Sequence, residues 1–478
     1  MRAAGIISLC LAVLLCFSSC GIIVINNIDG KKTETSAPAD TETAEETGDV
    51  KEIDIDKKTS DEMKAEAKSA LDGLDTIKHL GLRILIAAVD DTFYGGDGSA
   101  TLLSSDRVER VKNTEEKLDA SLHVVTYTDE ELVQKLTDAV SKGEYFADVL
   151  AVPQRLVGAL ASEGLIKSLR TVAGMDLKAD YFCKDATEAF SAGHSLYALS
   201  GEGCFEPEKL YSVYFNRELA KSLGYDMYSL VSSGEWTLEK YAECAAAAKA
   251  AGKLSAALPA KNNYKRMLFT GSGMDFTSNG TDKTPAANTF SDAYKETVGL
   301  LAALDDAAMT GAQDKFLSGD ALFYIDTVSS AANMASSELV WGMLPFPKYS
   351  REAEYMTYTS PDAVVFCIPV GAADEKSSGD LIEALCAASK SYIKYDYIYY
   401  SMLNVLRDNG SVNSLNIIIN NPNYDFVTAA RSGYPTLYAN TAGAFDELVS
   451  GSLSFDEYKE KETEVAEYLA KWFPITNK

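Results

Sequence analysis

Histidine is almost missing from this chain: His79, His123 and His194 are the three in 478 residues. They are scattered, with no H-E-x-x-H pair, so a helical zinc site of that type is excluded. No C-x-x-C spacing occurs among the eight cysteines, which removes the zinc-ribbon and dithiol readings. There is no G-x-S-x-G elbow and no complete phosphate loop; G-K-K-T at 30–33 lacks its upstream glycine. Positive charge is short as well. Forty-four Lys and Arg stand against 70 Asp and Glu, for a formal charge of −26. Such a chain is repelled by nucleic acid and by an anionic membrane surface. Chance pairs among so many carboxylates still leave a carbohydrate-active enzyme open.

What is present begins with an apolar run from Ile6 to Phe17 behind Arg2. It is long enough for a signal-peptide core and too short to span a bilayer. Ser18, Ser19, Cys20 and Gly21 follow, and this resembles a bacterial lipobox, with Phe17 where that motif prefers leucine. The resemblance implies a signal peptide over 1–19 and lipidation at Cys20. Two acyl chains at one site anchor stably, whereas one binds a membrane only marginally. From Asp29 to Glu62 there are 12 acidic and 5 basic residues, a net −7, and few large apolar side chains. Residues 20–62 therefore read as an anchor and an acidic, extended linker.

About 415 residues remain, more than one hydrophobic core usually serves, so two lobes are expected. An apolar fraction of 46%, with 26 tyrosines, is globular. Cys183, Cys204, Cys244, Cys367 and Cys386 are an odd set and read as small buried hydrophobes, with Cys183–Cys204 the one pairing left open. No metal and no cofactor is implied. After an amphipathic stretch, DEMKAEAKSALDGLD, come a strand at 82–89, a helical pattern at 105–120, the strand SLHVVTY, a helix over TDEELVQKLTDAVSKGE, and the apolar run ADVLAV. That alternation predicts parallel pairing in an open α/β sheet, whose ligands sit beyond the carboxyl ends of the strands. In GEWTLEKYAECAAAAKAAGK, Thr237 is the expected N-cap and Trp236 the apolar residue packed just ahead of it.

KLTDAVSKGEYFADVLAVPQRLVGALASEGLIKSL resembles a segment of extracellular solute-binding proteins of the maltose-binding type. SLYALS (195–200) is similar to that family's G-K-x-Y-A-L-P strand without the proline. LYSVYFNRELAKSLGYD, GEWTLEKYAECAAAAKAAGK, FLSGDALFYID and WGMLPFPK resemble four more of its segments, in the family's order. The resemblance implies a two-lobed periplasmic-binding-protein-like fold of type II, each lobe an open α/β sheet with flanking helices. One lobe is expected to hold 77–204 and 346–410, the other 212–343 and 412–478. Hinge crossings are expected near Tyr211–Tyr214, Leu344–Pro347 and Asn409–Ser414. The implied function is capture of a small solute, a sugar or oligosaccharide, between the lobes. A monomer outside the membrane would then deliver it to the permease subunits of an ABC importer.

The same resemblance points to the cleft residues. They are Asp90, Asp91, Phe93 and Tyr94 after the first strand, Gln154 and Arg155 after ADVLAV, and Phe205 near the first crossing. Ser272, Asp326, Thr327, Ser360, Asp362 and Tyr438 complete the set. Arg155 carries a planar fork suited to two hydroxyls or a carboxylate, or to a surface ion pair. Asp326 is either a solute acceptor or a helix cap. After Asp326 the maltose-type protein has a stacking tryptophan; here TVSS is small and polar, which weakens a maltodextrin assignment. A cationic metabolite and a sensor or adhesion role remain the alternatives.

Overall fold

The computed structural model describes residues 59–472 apart from Ile77, Leu80, 96–100, 259–263, 280–284 and 305–310. Cys20, the signal peptide and most of the linker lie outside the described residues. Among the described residues no helix is long and apolar enough to cross a membrane.

The first described element, α1 (Ser60–Asp72), begins inside the stretch expected to be linker. Thr59 accepts from the Glu62 amide while the Glu62 carboxylate takes the Thr59 N–H, a reciprocal cap. Met63, Ala67 and Leu71 then share one buried face. Four more helices position the first half: α2 (Leu102–Leu118), α3 (Asp129–Lys142), α4 (Val157–Ser162) and α5 (Lys184–Ala189).

In chain order the strands are β1 (Leu82–Ala88), β2 (Ala120–Thr126), β3 (Val149–Pro153), β4 (Ser191–Ala192), β5 (Ser195–Leu196), β6 (Tyr211–Asn216) and β7 (Leu254–Ala257). They continue with β8 (Thr277–Asn279), β9 (Pro285–Ala287), β10 (Ala321–Thr327), β11 (Trp341–Leu344), β12 (Thr357–Tyr358), β13 (Val364–Cys367) and β14 (Pro422–Asn423).

One sheet runs β13-β3-β1-β2. β1 pairs parallel with β2 (Leu82 opposite Ala120) and with β3 (Ile86 opposite Val149), as the alternating pattern predicts. β13 returns antiparallel on β3, Val364 opposite Pro153. All five residues of β3 are buried, which explains its unbroken apolar run. The second sheet runs β11-β6-β10-β7, with β6 antiparallel to both its neighbours and β10 parallel to β7. Both its faces are covered: Val213, Phe215, Phe323 and Ile325 join one core, Tyr214, Tyr324 and Met343 another. Thr237 caps the helix Leu238–Ala250 by accepting from the Lys240 amide. Trp236 is fully buried and donates to the Pro345 carbonyl at 2.9 Å, so it belongs to the core.

Between the sheets the chain makes a narrow ribbon. Leu210 bridges Thr359, Thr357 pairs with Pro422 and Tyr358 with Asn423. Of the expected crossings, Tyr211–Tyr214 adjoins this ribbon, and Leu344–Pro347 and Asn409–Ser414 lie outside it. Residues 345–356 stay with the second sheet, because Tyr349 N–H donates to Ser272 and the Tyr355 hydroxyl to Val231. The helix Asn409–Asn420 packs on β11, its Ser411 hydroxyl accepting from Met343 N–H. The five cysteines from Cys183 on are free, four of them buried.

Candidate functional site

Parallel pairing brings the carboxyl ends of β1 and β3 and the start of β13 to one edge of the first sheet. At the end of β1, Asp90 accepts from the Thr92 amide at 2.7 Å and from its hydroxyl. Lys209 reaches the same carboxylate at 3.8 Å. Burial alone raises the Asp90 pKa, but the Thr92 bonds and Lys209 outweigh it and hold the carboxyl below its ordinary value. Asp91 is half-buried beside it, its carbonyl accepting from Tyr94 N–H. Tyr94 is half-buried and spends its hydroxyl on the Leu122 carbonyl at 3.1 Å.

At the end of β3, Gln154 is buried and its amide donates to the Ser360 carbonyl at 2.8 Å. Arg155 does not offer a free fork. Its Nε meets Asp362 at 2.5 Å and its other arm meets Asp129, so both branches are committed to an ion-pair network. Ser360 accepts from Asp362 N–H at 3.1 Å.

A second polar edge belongs to the second sheet. Antiparallel register puts Thr327, at the end of β10, opposite Tyr211, at the start of β6. Asp326 accepts from the Tyr324 hydroxyl and, at 2.8 Å, from Thr327 N–H; it caps no helix. The Thr327 hydroxyl lies 3.0 Å from those of both Ser329 and Ser330. Tyr438 lies between two guanidinium groups, with Arg266 5.3 Å and Arg431 4.7 Å from its ring centre. Arg266 also binds Tyr438 Oη and Asp446.

The ribbon itself supplies what sequence reasoning missed. The rings of Tyr211 and Tyr358 meet edge to face at 5.3 Å. Burial, and then Tyr211, push the Tyr358 hydroxyl pKa up, with Arg266, Tyr438 and Asp425 also near enough to act on it. Tyr211 and Tyr358 therefore form a half-buried aromatic pair beside Thr327, with Tyr438 close enough to act on Tyr358. Tyr211 lies in LYSVY, a segment read as a crossing, whereas Tyr358 precedes Ser360 and Asp362, which were read as cleft residues without it.

Three expected contacts are corrected. Phe93 is fully buried, edge to face with Phe366 at 5.6 Å, which leaves no ring face for a ligand. Ser272 is fully buried and its hydroxyl donates to Phe269 at 2.6 Å. Phe205 is buried with its ring edge to face against Tyr397 at 5.6 Å. Asp90, Asp91, Arg155, Ser360 and Asp362 do share one edge, and Asp326, Thr327 and Tyr438 lie on the second-sheet side.

One segment ties the two sides. The helix Phe426–Ala430 packs on α4 and on the turn Gln154–Leu156. Ser432 donates to the Arg155 carbonyl at 2.6 Å and accepts from Ala159 N–H at 3.1 Å.

The two sheets are thus joined by a crossing ribbon and each carries polar residues at its strand ends. The sequence matches the model of bacterial extracellular solute-binding proteins over residues 109–403, more than half of its length. The chain belongs to that family. No curated protein matches it. Among solved structures this solute-binding protein is similar to the sugar-binding protein MalE of Xanthomonas citri (TM-score 0.55, 14% identity, covering 83% of this chain and 99% of that one). It is also similar to a family 1 extracellular solute-binding protein of Bifidobacterium longum subsp. infantis (0.51, 14%, 82% and 99%). A third is the GacH receptor of Streptomyces glaucescens, solved unliganded and with acarbose (0.50, 14%, 83% and 99%). At this identity the likeness is one of fold: two-lobed, α/β, periplasmic-binding-protein-like.

Proposed function

We propose that this solute-binding protein takes a neutral, hydroxyl-rich solute, a monosaccharide or oligosaccharide, between its two sheets and hands it to an ABC importer. The observation that carries this reading is the aromatic pair Tyr211 and Tyr358 beside the acceptor Thr327, with the carboxylate of Asp326 at the same strand end. Rings cover the apolar faces of a sugar and carboxylates accept from its hydroxyls. The named sugar and acarbose binding of two structural neighbours supports it. Arg155, the one cation expected to meet an anion, is occupied by two carboxylates, which disfavours an anionic solute.

The proposed hinge is the ribbon of residues 209–211, 357–360 and 421–424. The lobes follow the expected 77–204 and 212–343 cores, with 346–356 reassigned to the second. Cys20 is the proposed anchor and 20–62 the tether, at the extracytoplasmic face. The protein turns nothing over in this reading; it binds and releases.

A sugar panel read by thermal shift tests it. A ligand at 100 times its Kd stabilises by about 2.7 kcal/mol. Asp91→Ala or Asp326→Ala should each weaken the best hit by roughly 1 to 3 kcal/mol, since solute hydroxyls lose their acceptor in a closed cleft. Binding should change little with added salt, whereas a cationic solute would weaken. No stabilising sugar, or unchanged affinity in both variants, removes the sugar reading. For the anchor, Cys20→Ala should release the protein from the membrane fraction.

A further inference from the structure

Behind the ribbon lies a cavity of about 480 Å³, a size typical of small-molecule sites. Successive side chains of a strand point to opposite faces. Tyr211 and Tyr358 therefore occupy one face of the ribbon, and Leu210, Thr359, Pro422 and Tyr424 the other. The latter four line this cavity, which is roofed by α5 and the segment 200–206. It meets the proposed solute cleft at Lys209, which reaches Asp90 at 3.8 Å.

Charge in the cavity does not balance. Each lining lysine already has a carboxylate: Lys394 with Glu202 at 3.0 Å, Lys184 with Glu188 at 3.8 Å, Lys209 with Asp90 at 3.8 Å. Asp185, Glu206 and Glu354 also line it, and among the described residues none of them has a lysine or arginine within ion-pair distance. Glu206 is the decisive one. It is 3% exposed, its Oε2 accepts from Val364 N–H at 2.9 Å, and its Oε1 has no partner. A native fold seldom leaves such an atom unsatisfied. The rings of Phe182, Phe205 and Tyr424 line the same space and favour a cation.

We infer that this cavity is a second binding site, for a small organic cation whose primary ammonium pairs with Glu206 and Asp185 and whose short apolar stem lies against the rings. Burial raises the Glu206 carboxyl to about 8, with Glu208 acting in the same direction and Lys209 and Arg107 opposing it. Cys204 and Tyr424 also face it. An arriving ammonium would thus expel its proton at neutral pH. The site touches all three ribbon strands, so an occupant also bears on the hinge.

The test is calorimetric titration of the full chain with 1,4-diaminobutane, beside its neutral counterpart 1,4-butanediol. Expected is saturable one-to-one binding of the diamine alone, with a heat that depends on the buffer's ionisation enthalpy. Glu206→Gln keeps the acceptor for Val364 N–H and should weaken the diamine by about tenfold or more while removing the buffer dependence. Asp185→Asn gives a second variant should Glu206→Gln not fold, with a similar loss. Tyr358→Ala, on the other face, should leave diamine binding unchanged. Absence of saturable binding, equal binding of the diol, or loss in Tyr358→Ala with none in the carboxamide variants would each overturn the assignment.

Discussion

Arg110 shows how much one side chain can hold. It is 1% exposed and donates to the carbonyls of Gly203, at 2.8 Å, and Phe93. Its neighbour Arg107 donates to Phe205 at 2.8 Å. Two arginines of α2 thus fix both the loop after β1 and the approach to the ribbon. Burial, and then Arg107, lower the Arg110 pKa to about 10, which still leaves it charged at pH 7. Arg110→Ala strands two buried carbonyls and should cost roughly 2 to 4 kcal/mol of unfolding free energy. A urea titration reads this directly; a loss below about 0.5 kcal/mol would show that water replaces the guanidinium. Nothing in VERVKN announces this role, because a helical arginine is by default a solvent-facing residue.

At the scale of elements, the contact between α4 and the helix Phe426–Ala430 depends on the smallness of Gly158. A Cβ there would come within 2.7 Å of the Ala430 backbone. Gly158→Val should force the two helices apart, costing roughly 1 to 3 kcal/mol and speeding amide exchange over 426–434. Gly299→Ala is the contrast: its added methyl meets nothing within 4 Å on the helix Asp292–Ala302, so it should be neutral or stabilise by up to about 1 kcal/mol. Elements of this kind were legible where the physics is local. Apolar period marked β1, β3 and α3, and Thr237 was recognisable as a cap three residues before the amide it binds. The ribbon was not. WGMLPFPK reads as a chain leaving its sheet, yet Trp236 reaches back to Pro345 and holds it there. The ribbon forms where Thr357 N–H finds Asn421 and Ser360 N–H finds Lys209, pairings between segments remote in sequence. Phe93 was misplaced for the same reason: its packing partner, Phe366, arrives from β13.

For the whole molecule, buried carboxyls set the response to pH. Burial raises Glu206 to about 8; burial, and then Asp396, raise Asp106 to about 7, although Lys64 lies 3.8 Å away. Burial also raises Asp185 to about 7. Each binds its proton more tightly in the folded chain than in the unfolded one. Their contribution is therefore fully present below the unfolded carboxyl range and is lost as pH rises through 7 to 8. Asp90 acts oppositely: its lowered pKa stabilises above the unfolded value and fades in acid. Stability should accordingly peak in mildly acidic solution and decline toward pH 8.5. The formal charge of −26 pushes the same way through general repulsion, so the slope alone does not identify the groups. Two measurements separate them. Added salt screens surface repulsion but reaches buried groups far less, so a pH slope that survives 0.5 M salt belongs to the interior. Glu206→Gln and Asp106→Asn replace a proton-dependent side chain by a permanently neutral one of nearly the same shape. Both should be close to neutral at about pH 4 and raise the melting temperature relative to the parent increasingly from there to pH 8.5. Variants that instead destabilise equally at pH 4 and pH 8.5 would show that these carboxyls are held as ions by the fold, and the acid-side optimum would have to come from net charge.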